Sequence, residues 1–320
     1  MLPAYGLYTH VRRNELRSRV LVGILFGLVL VLVYGIDLVV RGASGNLPRG
    51  MRPELSSYLS AAAQDLVWLG PLSFVAAFLW LWIAYRVHQA IIDRTVGSAA
   101  VGPAEAPRLY RLLENLCISR GIPMPALRIA EDPALNAFAT GLNPGQYAVT
   151  VTTGLLEALD DREIEAVLAH ELTHIRNDDV RTMMIAVVIA GIFAFVAELL
   201  LRGGYRPSGN RKGGSVPAVL IGALLIGLVW FLSQLIRFAL SRTREYVADA
   251  GAVELTKNPD AMITALLKIS GRGELAGAPS GVMELCVDNP RSGIADLFAT
   301  HPSIDDRIAA LTRYAAGRAL

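Results

Sequence analysis

The sequence predicts a mainly helical α+β protein carried by about four membrane-spanning helices, with a small β-sheet in its water-facing part. Three observations lead there. Of the 320 residues, 53% are hydrophobic and 18% charged, against roughly 45–50% and 25% in soluble chains. Mean hydropathy is +0.43. Four stretches, residues 20–40, 66–87, 180–201 and 216–240, are apolar all round, and each is near the ~20 residues a helix needs to cross ~30 Å of hydrocarbon.

The first stretch is too long for a signal-peptide core and no small-residue cleavage site follows it. Asp37 near its end is expected at the interface, because a carboxylate at mid-bilayer is costly. Glu198 interrupts the third stretch late, and Gln234 and Arg237 the fourth. Together the last two read as a hydrophobic hairpin. Arg12, Arg13, Arg17 and Arg19 precede the first span and predict a cytoplasmic N-terminus. Four crossings then put residues 88–179 and 241–320 on that same side. Arg202, Arg206, Arg211 and Lys212 in the hairpin loop oppose this orientation, but the summed Lys and Arg near the membrane ends favour it. The expected division is a membrane region at 1–87 and a second domain at 88–320, interrupted by the hairpin at about 180–240. The expected location is a bacterial cytoplasmic membrane, with the second domain facing the cytoplasm and the lipid bilayer as a partner.

The water-facing segments follow in order. Residues 41–65 read as a Gly/Pro-punctuated loop holding one short amphipathic helix. Leu109, Leu112, Leu113 and Leu116 have helical spacing over 107–120, and Gly121 stops that helix. Residues 127–130 form a short strand. Asn143-Pro-Gly is a turn signal, and the alternating run 147–152 after it is a strand, which together suggest a hairpin. Thr153 caps a short helix, and Asp161 caps a long one over 162–177. Helices are expected at 245–255, 259–270 and 304–316, with a mobile glycine-rich loop at 271–281 that covers the cleft. Cys117 and Cys286 are the two cysteines. Their spacing implies neither a disulfide framework nor a thiolate metal site. There is no Asn-x-Ser/Thr sequence. The net charge of +2 and the scattered basic residues argue against nucleic acid as a partner.

The chemistry concentrates in His170-Glu-Leu-Thr-His174. Residues four apart share one helix face, so both imidazoles can bind one tetrahedral zinc, and Glu171 beside them can take a proton from water. This is the pattern of a zincin-type catalytic domain. Two surface histidines on an amphipathic helix are the plainer alternative. A catalytic zinc needs a third protein ligand, His, Asp or Glu. Glu245, just after the hairpin, is our candidate. Asp249, one turn further, is the candidate outer-shell acceptor that fixes a ligand imidazole. Ordinary solvated carboxylates are the plainer reading of both. The hairpin's two crossings return Glu245 to the side of His174, which an odd number would forbid.

At this point the chain resembles the HtpX-like membrane-bound zinc metallopeptidases, a family that includes the CAAX prenyl endopeptidases. The resemblance rests on four blocks in order. They are residues 136–141 (Asn-Ala-Phe-Ala-Thr-Gly), 169–174 with Asn177, 241–246 (Ser-Arg-Thr-Arg-Glu-Tyr) with Ala248 and Asp249, and 300–302 (Thr-His-Pro) with Arg307 and Ile308. It implies one zinc per chain on His170, His174 and Glu245, Glu171 as general base, and Asn136 and His301 as donors to the oxyanion. It also implies an edge strand at 147–152 to which an extended peptide adds. Expected substrates are unfolded or membrane polypeptides, in membrane-protein quality control. A catalytically silent scaffold and a dedicated processing peptidase are the alternatives. The first 85 residues match no family motif, and Ser303 stands where a second proline is expected. Only four apolar stretches exist, too few for a prenyl-protease barrel, so prenylated substrates are not expected.

Overall fold

The structure, a computed structural model, describes residues 7–202, 214–238, 243–276, 278, 280–283, 285–289 and 302–316. The chain divides into two compact units. One holds residues 87–185 and 238–320 together with 1–18; the other holds 19–86 and 186–237.

The second unit is built from long helices: α1 (Leu7–Ser44), α2 (Leu55–Val96), α6 (Asp179–Arg202) and α7 (Val216–Phe238). Helices α2 and α6 each begin or end in the first unit. Three described segments are long and apolar enough to cross a membrane: Arg19–Ser44, Leu55–Val96 and Val216–Ser233. Helix α6, the third expected crossing, is not among them. Trp68, Leu72, Phe78 and Trp82 of α2 and Leu220, Leu224 and Phe231 of α7 are exposed, as lipid-facing side chains should be. Leu38, Tyr58, Ala62 and Ala218 form a buried cluster. Helices α1 and α7 meet through glycines: a Cβ on Gly222 would lie 2.6 Å from the Gly35 carbonyl oxygen. Such small-residue contacts are how apolar helices pack when lipid removes the hydrophobic drive.

The expected loop at 41–65 is shorter, residues 45–54. Arg41 stays helical because it pairs with Asp37 at 2.8 Å and also with Asp65, and the expected short helix is the start of α2.

The first unit holds a four-stranded sheet of order β1-β2-β4-β3, with β1 (Ser98–Ala100), β2 (Ala126–Ala130), β3 (Ala137–Thr140) and β4 (Ala148–Thr152). β2 and β4 run parallel, while β1–β2 and β3–β4 are antiparallel. The Asn143 turn therefore closes a hairpin whose first strand, β3, the sequence reading did not name. It also follows that 147–152 is not the edge. β4 lies inside the sheet, and β3 is the outer strand on that side. Beyond the sheet come α3 (Pro107–Arg120), α4 (Thr153–Ala158), α5 (Asp161–Arg176), α8 (Thr243–Thr256), α9 (Pro259–Ile269), the short α10 (Ser280–Met283) and α11 (Ile304–Ala315). Thr152, not Thr153, caps α4.

The described part of 271–281 is tied down rather than loose. Leu135 N–H donates to Arg272 O at 2.8 Å, Ala276 N–H to Asp132 Oδ2 at 3.0 Å, and Leu275 is 1% exposed.

Candidate metal centre

Helix α5 starts with a capping box. Asp160, one residue before the expected cap, accepts from the N–H groups of Arg162 and Glu163, and Glu163 accepts from Asp160 N–H, each at 2.9 Å. Two orphan donors of the first turn are thereby satisfied. The helix is buried from Ile164 almost to its end, so His170 and His174 point into protein. Their Nε2 atoms lie 3.2 Å apart.

Helix α8 lies close against α5. A Cβ on Gly251 would sit 2.8 Å from Thr173 Oγ1, so only glycine permits this approach. Ala248 and Ala252 are fully buried beside it. The close packing brings Glu245 to the histidines: Oε2 is 3.6 Å from His170 Nε2 and Oε1 is 3.7 Å from His174 Nε2. The three candidate ligand atoms fall within 4.8 Å of one another, and all three residues are buried. Two imidazole nitrogens and a carboxylate are a donor set that suits zinc.

Each imidazole is held from behind by a carboxylate. Asp249 Oδ1 is 2.9 Å from His170 Nδ1, and Asp179 Oδ2 is 3.1 Å from His174 Nδ1. A carboxylate at Nδ1 fixes the proton there and leaves Nε2 as the lone-pair donor. Asp179 had no role in the sequence reading. It reaches His174 because the chain turns sharply after α5 through Asp178, whose φ of 59° is left-handed and is a conformation that aspartate tolerates. Its only sequence signal is the Asp-Asp pair after Asn177.

Arg307, also without an assigned role, is fully buried. It grips Asp249 with two hydrogen bonds, Nε to Oδ2 at 2.9 Å and Nη2 to Oδ1 at 2.7 Å. Burial alone would raise the Asp249 pKa; Arg307 and His170 more than offset this and hold it below the usual carboxylate range. Arg307 Nη1 is 3.8 Å from Glu245 Oε2, so the guanidinium also offsets that charge. Arg244, almost as buried, sits 3.8 Å from Glu245 Oε1.

Glu171 is 1% exposed. Its Oε2 has no hydrogen-bond partner among the described residues. Burial pushes its pKa above the ordinary carboxylate value, and the two imidazoles only partly counter this. His174 shifts the same way. Burial opposes its charged form, but Glu245 and Asp179 outweigh burial and push its pKa up to about 10. A cluster so rich in carboxylates attracts a cation, either a proton or a metal ion that displaces it.

Asn136 is fully buried. Its Nδ2 donates to Gly273 O at 2.6 Å and to Asp288 O at 2.7 Å. Both amide hydrogens are thus committed to backbone carbonyls, and in this conformation Asn136 positions two loops. His301 lies outside the described residues. The cleft over the cluster is lined by Ala139, Glu171, Val180, Met183 and residues 285–287, together with the three candidate ligands.

Comparison with known proteins gives the family. The model of peptidase family M48 matches residues 103–315. A Protease HtpX homolog of Bacteroides fragilis is 36% identical over 324 residues, covering 97% of this chain and 99% of the relative. The Dictyoglomus thermophilum homolog is 38% identical over 246 residues, covering 75% and 81%, and that of Lactobacillus helveticus 33% over 314, covering 94% and 98%. The crystal structure of S. mikatae Ste24p aligns at a TM-score of 0.48 and 19% identity, covering 80% of this chain and 65% of that one. By sequence along nearly its whole length, the chain belongs to peptidase family M48, among the HtpX-like membrane proteases.

Proposed function

We propose that the chain is a zinc endopeptidase embedded in a bacterial cytoplasmic membrane, cutting unfolded or membrane polypeptides on the cytoplasmic side as part of membrane-protein quality control. The observation that carries it is the meeting of His170, His174 and Glu245 at one buried point, beside a Glu171 oxygen without a partner among the described residues. Zinc held by those three residues would acidify water and polarise the scissile carbonyl.

The chain's own groups do the rest. Glu171 takes the proton of the attacking water and passes it to the leaving amine. A carboxyl held above its usual pKa is a better proton acceptor near neutral pH. Asp249 and Asp179 keep both imidazoles in the ligating tautomer, and Arg307 keeps Asp249 ionised. Asn136 acts as a positioning residue, since its amide hydrogens hold the carbonyls of Gly273 and Asp288. The donor role for His301 stands on the family resemblance alone.

Helix α6 also crosses in this reading, which brings the crossings to four. The arginines that precede the first apolar stretch and the even number of crossings support a cytoplasmic site.

The test is metal content and casein cleavage of the detergent-purified protein beside Glu171→Ala. About one zinc per chain in both, with cleavage only by the unmodified protein, is the expected result. Zinc in both and cleavage in neither would favour a silent scaffold.

A further inference from the structure

An outer strand leaves one row of N–H and C=O groups for another chain to pair with. On β3 that row is already taken by the protein itself. Phe138 and Cys286 face each other as an antiparallel pair. Val287 N–H donates to Ala137 O at 3.0 Å. One residue further, Asn136 clasps Asp288 by its backbone: Nδ2 donates to the carbonyl at 2.7 Å, and Oδ1 lies 3.4 Å from the amide nitrogen. Arg307 Nη1 donates to Val287 O at 2.9 Å.

Cys286 and Val287, with Leu285 before them, form a wall of the cleft that holds His170, Glu171, His174 and Glu245. A backbone laid antiparallel along an outer strand, next to a hydrolytic centre, is the pose an extended peptide takes when it adds to a sheet. The segment takes the backbone groups of β3 at 137 and 138, so an extended peptide that pairs with those groups must displace it.

Resting on the peptidase reading, we infer that residues 285–288 occupy in cis the strand-addition site of β3. A polypeptide substrate takes their place, pairing antiparallel with residues 137–139 once the segment has swung out. The contacts that hold the segment suit such an exchange. Ala137 O, the Asn136 amide and Arg307 Nη1 all engage backbone groups, which any peptide offers irrespective of its side chains. This gives a substrate class of extended, unfolded segments with weak side-chain selectivity. It also gives a resting state that is closed until such a segment competes.

Opening must uncover Cys286, which is 1% exposed in the closed form. The chain has two cysteines, so Cys117→Ser leaves Cys286 as the sole thiol. In zinc-loaded, full-length Cys117→Ser protein that also carries Glu171→Gln, maleimide labelling of Cys286 is expected to be slow. Saturating reduced casein is expected to speed it about tenfold or more, as the open population rises. Labelling that is unchanged or slowed by casein would overturn the inference and make the segment a fixed wall. Val287→Pro, with Glu171 intact, removes the N–H that reaches Ala137. It should label faster without casein and raise kcat/KM for casein about threefold or more, since less closed enzyme remains to be opened. A Val287→Pro protein that holds zinc yet labels and cleaves at the original rates would count against the proposal. Zinc content and casein cleavage by the unmodified chain report separately. A protein that cleaves casein while Cys286 labelling ignores it defeats this inference alone, whereas one with neither zinc nor cleavage defeats the peptidase reading itself.

Discussion

Asp249 and Asp179 each contact Nδ1 of one imidazole but differ in what else depends on them. Replacing either by Asn keeps the shape and weakens the grip on Nδ1. Zinc affinity should fall about 10–100-fold in both, measured by competition with a chelator. Asp249→Asn also removes the charge partner of Arg307, which is fully buried. Breaking a buried pair from one side costs about 3–5 kcal/mol. Asp249→Asn should therefore lower the unfolding temperature of the zinc-free protein more than Asp179→Asn does, because the His174 imidazolium that loses Asp179 still has Glu245 beside it. Equal losses would mean that Arg307 finds another acceptor.

The sequence told these two aspartates apart for a physical reason. Asp249 lies one turn beyond Glu245 on the same helix, so helical geometry alone aims both at one place. Asp179 lies past the end of α5, and its reach depends on the left-handed backbone at Asp178, which no spacing rule supplies. Asn136 stood out in the sequence but its contacts did not, because its acceptors Gly273 and Asp288 come more than a hundred residues later.

Among the elements, the α5–α8 contact decides whether Glu245 reaches the two histidines. Ala248, Gly251 and Ala252 make a small-residue face that a sequence can show, but not which helix it meets. Gly251→Val would push side-chain atoms into Thr173, where even a Cβ is 2.8 Å from Oγ1. Overpacking of this kind costs about 1–3 kcal/mol, and the relief available is for α8 to move outward with Glu245. Zinc per chain should drop well below one while the far-ultraviolet circular dichroism stays helical. A Gly251→Val protein with full zinc would show that α8 adjusts by other means.

Strand β3 escaped notice at the same scale. Its four residues, Ala137–Thr140, are too few for a convincing alternation, and two are alanines. The longer, valine-bearing β4 was more visible and so took the edge role that belongs to its neighbour. The capping box of α5 was missed by one residue only, because Asp160 and Asp161 are both competent caps and only the reciprocal Glu163 contact chooses between them.

For the whole molecule, the apolar stretches were legible from length and hydropathy, since a bilayer imposes both. Their true ends were not. Helices α1 and α2 run on until only residues 45–54 separate them, because Arg41 finds Asp37 and Asp65 as partners. The division into two units predicts two separable faults. In α7, Gly222→Leu would drive a side chain into the Gly35 carbonyl, with Cβ at 2.6 Å, and force α1 and α7 apart. Packing between apolar helices depends on that close approach, so the detergent-solubilised protein should lose thermal stability. The metal cluster lies entirely in the other unit, so the fraction that remains folded should still bind about one zinc per chain. Removing zinc with a chelator should act the other way round. It should leave the helix packing of the membrane unit in place, but lower the unfolding temperature of the unit that gathers the buried carboxylates Glu171, Asp179, Glu245 and Asp249 around the two histidines, by an amount that grows with the free zinc it withdraws. Following both variables in both proteins discriminates the cases. If Gly222→Leu sheds zinc as readily as Gly251→Val does, the two units unfold as one and the membrane helices are part of what holds the cluster together.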